Sequence, residues 1–162
     1  MRHEGVQQAS HSTSPLQESV VPSGALFVAA DEPLLIYQSV ADAERDLEAI
    51  DVENGVYPAA FGPDGQPYSV TTDGTGVLIV PTGEPKQPDA LKSLLTRYFD
   101  AIGEPATPEE DVHALVRRAW LRHEAFWAEH DPFGDRFGSK IPLWGCLVLV
   151  ALAGAIAYAV LS

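Results

Sequence analysis

His123 and His130 stand seven residues apart among Trp120, Phe126 and Trp127, and they are the pair in this chain best placed for chemistry near neutral pH. On a helix that spacing is close to two turns, so both imidazoles would share one face and could join a metal site or act as a proton switch. The commoner use of a histidine beside Trp and Phe is packing, and packing is the expectation here. His3 and His11 have no cysteine or carboxylate partner at metal-ligand spacing. Asp42, Glu44, Asp46 and Glu48 could hold a cation or form an acid/base pair, but like charges crowded on one helix are the ordinary dress of a solvated face. Cys146 is the single cysteine and lies in an apolar run, which excludes a disulfide framework and suits a reducing compartment. No nucleophile stands at a recognisable spacing from a histidine, so no catalytic residue, no cofactor and no metal is expected.

Both histidines depend on one helix for their position. Thr107-Pro108-Glu109-Glu110 has the form of a capping box with proline at the first helical position, which predicts a helix from Thr107 to Asp131, stopped by Pro132. At 100° per residue, Val112, Leu115, Val116, Ala119, Trp120, His123, Phe126, Trp127 and His130 form an apolar stripe about 140° wide. Arg117, Arg118, Arg122, Glu124 and Glu129 take the other side, and Leu121 points outward with them.

Upstream, residues 1–23 are rich in Gln, Ser, His, Pro and Thr and are expected to stay disordered, since they have too little apolar surface to offset the entropy of ordering. Ala25 to Ala30 and Leu34 to Gln38 then read as strands around an Asp31-Glu32-Pro33 turn. Ser39 caps a predicted helix with Val40, Ala43, Leu47 and Ile50 inward. Val56 to Phe61, Pro67 to Thr72 and Gly76 to Pro81 read as a meander joined by Gly62-Pro-Asp-Gly65 and Asp73-Gly-Thr-Gly76 turns. Neither glycine-rich turn has the form of a phosphate-binding loop. A further helix from Pro88 buries Leu91, Leu94, Leu95, Tyr98 and Ile102 and ends at Gly103. The order strand, strand, helix, three-strand meander, helix argues an α+β fold, a small mostly antiparallel sheet with helices on one face.

The run from Leu34 to Gly55, Leu-Leu-Ile-Tyr-Gln-Ser-Val-Ala-Asp-Ala-Glu-Arg-Asp-Leu-Glu-Ala-Ile-Asp-Val-Glu-Asn-Gly, with the strands and the Pro-Asp-Ala-Leu helix after it, resembles a group of small bacterial α+β proteins, some of immunity-protein type. The likeness covers residues 25–103. It implies an acidic single-domain binder and carries over no functional residue.

Beyond the amphipathic helix, Ile141 to Leu161 contains no Asp, Glu, Lys, Arg, His, Asn or Gln, the composition and length of a transmembrane helix. Trp144 and Tyr158 would sit at its two interfaces. Arg136 and Lys140 precede the run and no charged side chain follows it, so the positive-inside rule places the N-terminal side in the cytoplasm, in a bacterial inner membrane if the Ala, Gly, Pro, Asp and Arg usage reflects its source. With no signal-peptide pattern near Met1 and only Ser162 after the run, a tail-anchored single-pass protein is expected. Ala151, Gly154, Ala155 and Ala159 form a ridge of small residues on which two such helices could pair as a weak homodimer.

The organisation expected is thus a polar tail (1–23), an acidic α+β domain (24–106), a juxtamembrane amphipathic helix (107–131), a linker (132–140) and a span (141–161). Residues 31–111 hold seventeen acidic side chains against four basic ones, out of a net charge of −13 for the whole chain. That field repels nucleic acid and suits a basic protein partner. The expected function is a membrane-anchored interaction module, with an accessory subunit recruited through its span and an enzyme with an unrecognised site as alternatives.

Overall fold

The structure, a computed structural model, describes residues 20–31 and 33–131. Strand β1 (Leu26–Val28) pairs antiparallel with β2 (Leu35–Tyr37), setting Phe27 opposite Ile36. On its other side β1 pairs with β3 (Ala60–Phe61), from which β4 (Pro67–Thr72) and β5 (Val77–Pro81) continue as the expected meander. The five strands form one antiparallel sheet in the order β2-β1-β3-β4-β5. Helices α1 (Val40–Asp46) and α2 (Ala49–Glu53) connect β2 to β3, and α3 (Pro88–Ala101) and α4 (Val112–His130) follow the sheet. The fold is α+β.

Alternation along the central strand decides where the helices go. Ala25, Phe27 and Ala29 face one side, Leu26 and Val28 the other, and all five are buried. A strand that is apolar at every position needs a cover on both faces. Helices therefore lie on both faces of the sheet, not on one as the element order suggested. On the Phe27 side, α3 and α4 bring Leu91, Leu95, Phe99, Leu115, Ala119 and Trp120. On the Leu26 side, Ala43 of α1 and the following Leu47 pack with Tyr37, Ala60 and Ile79.

Four features differ from the sequence reading, and the first is β3, which keeps only Ala60–Phe61 of the strand expected over Val56 to Phe61. Ser39 caps α1 as expected, its Oγ accepting the Asp42 N–H at 3.1 Å. The helix read through Ile50, however, breaks at Leu47 and Glu48, whose backbones are extended, and Ile50 is 55% exposed. The break lets α1 lie along β5 and α2 along β4, a course that one straight helix could not follow over a twisted sheet. In α3 the fully buried ring is Phe99, while Tyr98 and Ile102 are only half-buried. Thr107 to Glu110 forms a single turn, with Glu110 N–H donating to the Thr107 carbonyl at 3.1 Å. Asp111 follows in extended conformation and, as the N-cap, accepts the Ala114 N–H on Oδ1 at 2.8 Å, so α4 begins at Val112.

Gly65 ties the sheet to α3. Its carbonyl accepts the Gln87 N–H at 2.8 Å, its φ is +83°, and a Cβ there would stand 2.7 Å from the Pro88 nitrogen. Gly103, with φ +76°, has open space around the same position. Gly103→Ala should cost the roughly 1–2 kcal/mol of a left-handed non-glycine residue, and Gly65→Ala clearly more, because backbone must also move. Urea denaturation of the two variants checks this; equal losses would mean that the Gly65 contact is soft.

Candidate functional site

The N-terminal half of α4 is fixed by one arginine. Arg118 lies 4.0 Å above the Phe99 ring, Nη1 donates to both Glu110 carboxylate oxygens at 3.2 Å, and Nη2 donates to the Glu104 carbonyl at 2.6 Å. Arg122, one turn on, pairs with the Glu104 carboxylate. Glu110 also accepts the Thr107 N–H at 2.7 Å, and that bond first, with Arg118 after it, holds its carboxyl below the usual glutamate range. The reading of Arg118 and Arg122 as a solvated outer face was incomplete, since both tie α4 to the α3–α4 connection.

Past Trp120 the apolar stripe leaves the core. His123 lies 5.3 Å from Trp120 and 6.2 Å from Trp127, ring centre to ring centre. Phe126 meets Trp127 edge to face at 4.9 Å and stacks on His130 at 4.0 Å. His130 Nδ1 is 2.8 Å from the Phe126 carbonyl oxygen, which can only accept, so that nitrogen carries the proton. His123 and Trp127 are half-buried, whereas Phe126 is 47% exposed and His130 is exposed. Between these rings and the rim of the sheet runs a groove of about 390 Å³, walled by Leu34 to Tyr37 on one side and by Tyr98, Arg122, His123, Phe126 and Trp127 on the other.

No family model, no curated protein and no solved structure matches the chain. What the groove can do follows from its own chemistry. It is largely apolar and aromatic, within the size range of small-ligand sites, and its polar side-chain groups are one imidazole, two phenols, one indole N–H and a guanidinium already engaged by Glu104. Among the described residues, no carboxylate lines it. Among the described residues, no group of three His, Cys, Asp or Glu could hold a metal ion. The arrangement suits adsorption of an apolar or aromatic surface.

The acids of the first helix are dispersed onto separate partners. Asp42 binds Arg45 and the Ser39 hydroxyl, Asp46 accepts the Tyr37 hydroxyl at 3.0 Å, and Glu48 takes the N-cap position of α2 without a side-chain cap bond. Glu44 accepts the Ile79 N–H at 2.8 Å and so turns toward the sheet instead of outward. No acid/base pair or cation cage forms from them. Trp144, Tyr158, Arg136, Lys140, Cys146, His3, His11 and the Ala151, Gly154, Ala155, Ala159 ridge lie outside the described residues. Sequence reasoning missed the β2 wall, Tyr98 and Arg122 as groove residues; the one signal for Arg122 is that it borders the apolar stripe of α4.

Acid should loosen the Glu110 clamp. A carboxyl whose folded pKa is depressed contributes stability that is present above its ordinary value of 4.5 and is lost as pH falls through the lower folded value. Glu110→Gln should therefore lower stability at neutral pH and flatten the loss below about pH 4.5. Thermal unfolding followed from pH 7 to pH 3 (about one point per unit) reads both; an unchanged acid limb would assign it to other carboxylates.

Proposed function

We propose that this chain is a single-pass membrane protein, anchored by residues 141–161, that presents its acidic α+β domain to the cytoplasm as a binding module for a basic protein, in the manner of an immunity-type protein. The observation that carries the anchor is the uncharged run Ile141 to Leu161, with Arg136 and Lys140 on its N-terminal flank. Among the described residues no helix is long and apolar enough to cross a membrane, so the anchor rests on that run alone. The basic partner is supported by charge. Arg45 and Lys86 are drawn into ion pairs within the domain, and Arg118 and Arg122 of α4 pair with Glu110 and Glu104, which leaves the surface field dominated by the surplus carboxylates.

The full chain, purified in detergent and reconstituted, should float with lipid vesicles and resist alkaline extraction. In cells, protease added to spheroplasts should spare residues 24–131, and digestion without lysis would reverse the orientation. Capture from native membranes should retain a basic protein that is lost in high salt and lost again when residues 24–106 are deleted. Retention after that deletion would move the partner contact to the span.

A second reading, an accessory subunit or dimer held through the span, is favoured by the ridge Ala151, Gly154, Ala155 and Ala159. Ala155→Ile keeps the segment apolar while blocking close helix approach. Crosslinking in membranes should lose its dimer or partner band in this variant; an undiminished band would exclude the ridge as the contact.

A further inference from the structure

We propose that the last turns of α4 dock on the bilayer surface, with His123, Phe126, Trp127 and His130 set at headgroup level over the groove beside β2. This rests on the anchoring through residues 141–161 proposed above. Three observations converge on lipid as the occupant. The first is the way in which one stripe changes environment along α4. Leu115, Val116, Ala119 and Trp120 are buried, whereas the same stripe continues as four rings that are half-buried or exposed, with Phe126 47% exposed beside an open apolar groove. Aromatic rings with a polar edge are the side chains that partition to the membrane–water boundary.

Chain length supplies the second. His130 ends α4, and the uncharged run begins at Ile141 after ten intervening residues, 131–140. Fully extended, such a linker reaches at most about 35 Å, so an inserted span keeps this end of α4 beside the bilayer and makes the bilayer the surface of highest effective concentration.

Charge supplies the third and orients the domain. Residues 31–111 carry seventeen acidic side chains against four basic ones, while residues 112–140 carry four acidic against five basic. An anionic leaflet repels the first segment and tolerates the second, so the domain meets lipid with the end of α4 and turns its acidic bulk to the cytoplasm. The same orientation leaves α1, α2 and the β4–β5 hairpin open to a basic partner.

The test uses the full chain with Cys146→Ser, so that an introduced cysteine is the only one, carrying an environment-sensitive fluorophore. One label site is His130→Cys, on the stripe; the control is Ala128→Cys, exposed and roughly 160° away around the same turn. Each protein is reconstituted into phosphatidylcholine vesicles, with and without phosphatidylglycerol, that contain a headgroup-level quencher lipid. Flotation reads the anchor and quenching reads the docking. The expected result is that both proteins float, that the label at 130 is quenched several-fold more than the label at 128, and that adding Phe126→Asp brings the 130 label down to the 128 level without changing flotation or the far-UV spectrum. A floated chain whose two labels are quenched alike overturns the docking and leaves the anchor standing. A chain that does not float overturns the anchor and the docking with it. A 130 label protected from an aqueous quencher yet not reached by the lipid quencher would assign the face to protein, either residues 132–140 or a second copy, and would equally overturn docking on lipid.

Discussion

Leu26, Phe27 and Val28 have no exposed surface, and a strand buried on both faces is the constraint from which the rest of this architecture follows. Each of these side chains contributes about 1.5–3 kcal/mol only while its own face stays covered. The chain solves this with two half-cores that share one strand. The larger is built by α3 and α4 against Phe27, Phe61 and the two flanking alanines, and the smaller by α1 and the meander against Leu26 and Val28. The connection through α1 and α2 and the two helices that follow the sheet therefore cover opposite sides of the same three residues.

Holding α4 in place has a cost as well as a gain. Trp120 is 2% exposed and its indole N–H finds no acceptor among the described residues, a deficit of about 1–3 kcal/mol for a buried donor. The Arg118 assembly offsets it. A guanidinium stacked on Phe99 while donating to Glu110 and to the Glu104 carbonyl satisfies the turn between α3 and α4 and fixes the register of the stripe two residues before Trp120. Because the stripe is set there, the directions of His123 and Phe126 are set with it.

Local chemistry was legible in the sequence and tertiary choice was not. Ser39, Gly103 and the Gly62 and Asp73 turns announce themselves because capping and left-handed backbone depend on the residue alone, and β4 and β5 fall where the turns put them, while β3 keeps only the last two residues of its expected run. The split at Leu47 was hidden, since Val40, Ala43, Leu47 and Ile50 fit one helix equally well and only the twist of the sheet beneath decides against it. Asp111 was overlooked as a cap because Thr107 to Glu110 offers a stronger local pattern; the Thr107 N–H to Glu110 bond of that pattern does form, but on an isolated turn. Phe99 was hidden by its neighbour Tyr98, as either ring could have faced the core at that spacing. The groove could not be read at all, because its two walls, β2 and α4, are some eighty residues apart in sequence and no short-range signal joins them.

The two edges of the sheet are finished differently, and that difference follows from helix length. At β5 the Glu44 carboxylate of α1 accepts the Ile79 N–H, placing a charge where another strand would otherwise add, even though Leu78 and Val80 are 56% and 41% exposed on the strand's open face. At β2 the groove separates the strand from α4. The 19 residues of α4 span about 28 Å, while the three-residue strands that the helix covers run only about 10 Å. A helix that much longer than its support must pass beyond it, and it does so just after Trp120, where the stripe is still apolar but only the rim from Leu34 to Tyr37 remains to face it. Had those last turns been meant for water, polar residues would have cost the core nothing; the rings at 123, 126, 127 and 130 instead extend an apolar surface outward along the one helix that leads toward Ile141.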